Sequence, residues 1–201
     1  MNEAARRLFK KGTKEWNVWR RHNPRAEVDL SGENLSAGDV SGADLRRINF
    51  VKSDLTDANL SRTNLGRATL DSANLQRTKL NHAILESAVL LNADLRGAEL
   101  NGARLKRANL MGANLEQSRL QRAGLHGANL VDVNAKLSDF TGAIITEADL
   151  SGAELTDARL QFADMSRSIL FVTNLTQADV TGAKLISANL EDAVFPRMCS
   201  R

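Results

Sequence analysis

From Leu30 to Phe195 every fifth residue is apolar, at 34 positions of which 26 are Leu, and no insertion shifts the frame. The other eight are Val40, Phe50, Ala135, Phe140, Ile145, Met165, Val180 and Phe195. Two residues before each of them, 29 of the 34 positions carry Ala, Ser or Thr; Val28, Glu33, Gly38, Ile48 and Val133 are the exceptions. A period of five fits neither the helical repeat of about 3.6 nor the strand repeat of about 2, so a helix or a strand would scatter these residues around its surface. A chain that turns a corner every five residues buries them all. The central residue and the small one two places before it then point into a narrow tube, and the other three point outward. Nine of the thirteen glycines, among them Gly32, Gly112 and Gly182, fall two places after the central residue, where a turn with positive φ favours them.

Units such as Ala93-Asp94-Leu95, Ala113-Asn114-Leu115 and Ala188-Asn189-Leu190 read A-[D/N]-L-x-x. Over about five sixths of the chain this pattern resembles the pentapeptide-repeat family. The resemblance implies an all-β repeat solenoid, the family's right-handed quadrilateral β-helix, with four pentapeptides and twenty residues per coil. The repeats in residues 28–195 then make eight and a half coils, a tube roughly 40 Å long at about 4.8 Å per coil. Residues 131–145, VDVNAKLSDFTGAII, keep the count of five but lose the ideal motif at Val133, Ala135 and Ile144. A bulge there would displace the faces beyond it.

A stacked repeat leaves its terminal coils exposed. Ala5, Leu8, Phe9, Gly12, Trp16 and Trp19 recur at spacings of three and four, which predicts a helix from about residue 3 to 21, stopped by Asn23-Pro24. Residues 1–27 therefore form an amphipathic capping helix and linker, with Leu8, Phe9, Trp16 and Trp19 covering the first coil. The same basic, Trp-bearing helix could instead lie on an anionic membrane surface. After Phe195 only the tail 196–201 remains, so the last coil is open to closure by a partner; the resemblance implies a homodimer there, though without the C-terminal helix such members bring.

The one cysteine, Cys199, excludes an intrachain disulfide and a two-cysteine metal site, and a reducing compartment follows. The N-terminus has no apolar signal region and no apolar run reaches the roughly 18 residues of a membrane span, so the expected location is cytoplasmic. The lead-in TKEWNVWRRHNP followed by DLSGENLS resembles that of bacterial members of the family.

A net charge of +3 hides segregation: +5 over residues 1–27, −4 over 28–45, +6 over 46–125 and −6 over 126–195. Some members of the resembled family protect type II topoisomerases such as gyrase from quinolones by imitating acidic duplex DNA. The basic middle coils and the lack of inserted loops argue against that alternative. Nucleic-acid binding is disfavoured because the basic stretch lacks stacking aromatics or a reading helix. His22, His82 and His126 have no metal-ligand spacing, and no nucleophile elbow occurs. The expectation is a non-enzyme with no cofactor and no metal.

Sorted modulo twenty, the outward residues fall on four walls. On the wall centred on Leu30 to Leu190, the slot after the central residue is apolar at five of nine coils: Val51, Leu91, Met111, Val131 and Phe171. Val89, Ile169 and Val172 join from neighbouring slots. The preceding wall gathers Arg46, Arg47, Arg67, Arg104, Lys106 and Arg107. Contiguous exposed apolar area marks interaction surfaces. The expected function is a protein-binding scaffold that uses the apolar wall and the adjoining basic wall for an unidentified protein partner or for self-association.

Overall fold

The computed structural model describes residues 7–9 and 11–196. Its architecture follows from how one five-residue unit places its five amides. In the unit around Leu110, Leu110 N–H donates to Asn129 O at 2.8 Å and Gly112 N–H to Val131 O at 2.9 Å, both in the next coil. Asn114 N–H donates to Ala93 O in the coil before, and Ala113 N–H closes a turn onto Leu110 O. The fifth amide, Met111 N–H, is taken by the side chain of Asn109 at 3.2 Å. Backbone groups away from water need partners, and every donor of this unit has one.

Repetition of that scheme makes a parallel solenoid. Strands β1 (Val28–Asp29) and β2 (Ile48–Asn49) pair in register twenty residues apart. Single bridges continue the same offset from Asn34↔Asp54 to Asn174↔Val194. The central column, from Leu30 to Leu175, lies inside the tube and is buried except at half-buried Leu35. Ser and Thr are admitted to the small inward slot because the hydroxyl donates to a nearby carbonyl, as Thr63 Oγ1 does to Leu60 O.

The two residues after each central one form the corner. The second of them has positive φ at every unit from Gly32 to Asp192: 63° to 70° at the nine glycines and 53° to 59° at 24 other residues. The predicted glycine preference therefore reflects a real backbone demand, yet most corners meet it with a strained side chain. Glycine is needed where the coil before intrudes. A Cβ on Gly112 would lie 2.3 Å from Asn92 Oδ1, and one on Gly182 would lie 2.7 Å from the Phe162 ring.

Residues 131–145 do not bulge. Asn134 bridges Asn114 and Glu154, and Asp139 bridges Arg119 and Arg159, at the unchanged offset of twenty. The reason is compensation of volume: large Val133 takes the small slot while small Ala135 takes the large one, and both are buried. Volume-conserving exchanges are what a core tolerates best.

At the N-terminal end the predicted helix is interrupted at Gly12. Residues 7–9 and 11 are helical, Gly12 breaks the run at φ 114° and ψ 172°, and α1 spans Thr13–His22. The break arises because Gly12 adopts a left-handed, extended conformation open to glycine. Ala5 and the start of the predicted helix lie outside the described residues, as do residues 197–201 of the tail. Phe9 sets its ring edge-on to Trp16 at 5.4 Å and to Phe50 at 6.2 Å. Leu8 and Trp19 are half-buried against the same core.

Residues of α1 make hydrogen bonds to one side of the first coil. Farther along, Asn64 N–H donates backwards to Ala43 O, and Asn64 O accepts from Leu45 N–H. Asp44 has no such neighbour behind it. Its N–H donates to Asn17 Oδ1 at 2.8 Å, and its carbonyl accepts from Trp16 Nε1 at 2.8 Å. Arg20 donates to the carbonyls of Ala26 and Arg46 at 2.7 and 3.2 Å and lies 5.3 Å from the Trp16 ring. Burial pushes the Arg20 guanidinium down, and nearby Asp44 opposes that shift. The cover is partial: Phe9 and Gly12 border a recess of about 250 Å³ over Leu35, Gly38 and Val40. At the other end Val180, Leu185 and Phe195 are only half-buried, and Leu190 is 36% exposed.

Candidate protein-binding surface

Of the predicted apolar residues, Leu91, Met111 and Val131 lie on three successive coils along an edge of the tube, and Asp71 and Ser151 separate them from Val51 and Phe171. The first corner residues Val51, Leu91, Met111, Val131 and Phe171 lie within turns, one residue past the central column. They form a ridge between two faces because the turn is closed by the bond from the amide three residues on, as from Ala113 to Leu110. Backbone bonds tie the ridge coil to coil: Asn92 N–H to Met111 O at 3.0 Å, Gly112 N–H to Val131 O at 2.9 Å. Val89 and Ile169 stand in the bridge column of the face beside it, and Val172 on the second corner position. Met111, Ile169 and Phe171 are 41–42% exposed and Val172 49%, whereas Val51, Val89, Leu91 and Val131 are half-buried.

The ridge's amides show how the sequence tolerates apolar corners. Asn49, Asn109 and Asn129 take the amides of Val51, Met111 and Val131. At Leu91 the residue two before is Val89, which cannot accept. There the carboxylate of Asp71, one coil back, accepts the Leu91 amide at 3.2 Å.

Arg46, Arg47, Arg67, Lys106 and Arg107 line the opposite edge of the same face, and Arg104 stands in the bridge column of the face before it. Arg46, Arg47, Arg67 and Arg104 border a depression of about 450 Å³, whose lining also includes Gly66, Ile84 and Arg25. Lys106 and Arg107 are exposed and stand outside this lining. Two of the arginines are already committed: Arg46 to Asp44 at 2.6 Å and Arg104 to Glu86 at 2.5 Å. Burial raises the Asp44 carboxyl, but hydrogen bonds from Arg46 and the charges of Arg46 and Arg20 outweigh it and hold the group below the carboxylate range. Sequence reasoning missed Arg25 and Gly66. Gly66 was legible as the one glycine in a first corner slot, where no positive φ calls for it.

The two most exposed large apolar residues among the described ones were not assigned to the surface. Phe162 and Ile186 are 68% and 70% exposed, on other columns than the ridge. Phe162 lies under Gly182, so part of its ring is held by the next coil. Among the described residues no group of His, Cys, Asp and Glu could hold a metal ion, and no helix is long and apolar enough to cross a membrane.

A family model for pentapeptide repeats matches in eight copies, over spans that together run from residue 29 to 170 and from 173 to 197. The chain belongs to the pentapeptide-repeat family. Among solved structures, it is similar to HetL, a pentapeptide repeat protein involved in heterocyst differentiation regulation from the cyanobacterium Nostoc sp. Strain PCC 7120. That pair shares 28% identity over 92% of this chain and 98% of HetL, with a TM-score of 0.37. It is also similar to a trypsin-treated variant of QnrB1, a plasmid-mediated fluoroquinolone resistance protein. There the identity is 21% over 80% of this chain and 92% of that one, with a TM-score of 0.52. The second likeness bears on the fold alone. No curated protein sequence matches this chain. The solenoid and its repeat are thus those of pentapeptide-repeat proteins.

Proposed function

We propose that this pentapeptide-repeat chain is a non-enzymatic scaffold, in a reducing compartment such as the cytoplasm, that binds protein through its apolar ridge with the basic edge alongside. The observation that carries the reading is the run Leu91, Met111 and Val131 on three successive coils. None of these side chains belongs to the buried columns that hold the tube together. Exposed apolar side chains are ordinary when single; stacked at the coil spacing they form a continuous strip. Methionine at its middle adapts to a partner's contour. The tube is read as eight and a half coils, with α1 as the cap of the first.

The basic edge suits acidic side chains of a partner, since guanidinium pairs well with carboxylate. The same edge speaks against imitation of DNA: residues 46–125 carry +6, and the ladder runs from Asn34 to Val194 without an inserted loop. Leu91→Ser with Met111→Ser is expected to abolish self-association or capture of a partner from native lysate. Arg47→Gln with Arg67→Gln is expected to weaken capture and flatten its salt dependence. Unchanged capture and self-association in the double-serine variant would contradict the proposal.

A further inference from the structure

The ridge has a symmetry that a binding strip for an unrelated partner does not need. We propose that its occupant is a second copy of this chain, antiparallel to the first, with a twofold axis perpendicular to the tube through Met111. This rests on the scaffold reading in taking the ridge as the binding surface.

A twofold contact must be self-complementary, because each residue meets the residue on the other copy that is its mirror across the axis. Reversing the tube about Met111 pairs coils at equal distances on either side of it. Leu91 then faces Val131, Val51 faces Phe171, and Met111 faces its own equivalent. The polar members also match: Asp71 faces Ser151, and Ser31 faces Glu191. All nine first corner residues from Ser31 to Glu191 therefore meet a residue of their own polarity. The apolar ones cover six coil steps, about 29 Å at the strand spacing.

The columns beside the ridge obey the same rule for charge. In the bridge column of its face, Asp149 faces Thr69, and in that of the next face Asp94 faces Asn134 and Glu154 faces Asn74. At the second corner Asp132 faces Asn92. No acid in these columns meets another acid. A parallel pairing, about an axis along the tube, would set Asp71 and Glu191 of the ridge each against its own equivalent, and like charges in contact oppose association. Gly112, beside Met111 at the axis, carries no side chain to hold the copies apart.

The test is cross-linking in a Cys199→Ser background, together with sedimentation equilibrium of the unaltered chain from sub-micromolar to several hundred micromolar. Met111→Cys is expected to give a disulfide-linked dimer on mild oxidation. Leu91→Cys alone should stay largely monomeric, yet mixing it with Val131→Cys should give the mixed dimer. The unaltered chain should show a monomer–dimer equilibrium that Met111→Arg abolishes, with unchanged far-ultraviolet circular dichroism. Efficient self-linking of Leu91→Cys would overturn the antiparallel arrangement, and a chain that is monomeric at every concentration would overturn the dimer. In either case loss of a captured partner in Leu91→Ser with Met111→Ser would leave the scaffold reading standing, so the two failures are separable.

Discussion

At the residue scale the tube is a trade between a fixed backbone and whatever side chain the corner is given. A left-handed φ disfavours an L-residue by roughly 1–2 kcal/mol, and 24 corners accept that strain. Leu137, at φ 59° and 52% exposed, gains little burial in return. Leu137→Gly is expected to raise the stability, by somewhat less than about 1 kcal/mol once glycine's greater unfolded freedom is subtracted. Gly112→Val should do the reverse, by about 1–3 kcal/mol, since it adds strain and displaces the Asn92 side chain. Thermal unfolding of both variants checks the two signs. The inward columns were legible in the sequence because only a five-residue period explains them. The corner position of Met111 was less so, since the pattern tells outward from inward but not edge from face.

At the scale of the single unit, inward volume and outward turn chemistry are separate requirements. The exchange at Val133 and Ala135 keeps the first, although it breaks the motif that sequence reading looks for. Ala135→Leu should overpack the tube, at a cost of about 1–3 kcal/mol, and Val133→Ala should leave a void, costing about 2 kcal/mol. The double variant restores the ordinary unit and is expected to recover most of both losses in a double-mutant cycle. Additive losses would mean that the two sites do not share one space. The turn chemistry is acid-sensitive where Asp serves instead of Asn. The amide of Ser41 holds the Asp39 carboxyl low, as the hydroxyls and amides of Ser166 and Thr181 do for Asp164 and Asp179. A folded value below the unfolded one of about 3.9 means that this stabilisation is complete above that pH and is lost as pH falls below it. Replacement of the three by Asn, which fills the same role at Asn114 and Asn174, should flatten the acid limb of a stability–pH curve. An unchanged limb would place the acid sensitivity elsewhere. Arg20 was the element of the N-terminal end that sequence reading missed: it is buried at 2% exposure, but a lone arginine on a basic helix gives no sign that it will serve backbone carbonyls.

At the scale of the whole molecule, the interior fixes a rigid tube, and the exterior is free to vary in three slots of every five. That division explains why the fold was plain in the sequence while the binding surface was only partly so. The ridge follows from adding twenty to a residue number. The depression at Gly66 depends also on which arginines reach an acid, Arg46 and Arg104 but not Arg47 or Arg67 among the described residues, and spacing alone does not say. The separation of folding columns from binding columns is the claim on which the functional reading stands. It is tested most directly by measuring thermal unfolding and association on one variant, Leu91→Ser with Met111→Ser. The predicted result is an unfolding free energy within about 0.5 kcal/mol of the unaltered chain, as for surface substitutions, together with loss of association. A large fall in stability, or association that persists unchanged, would contradict it.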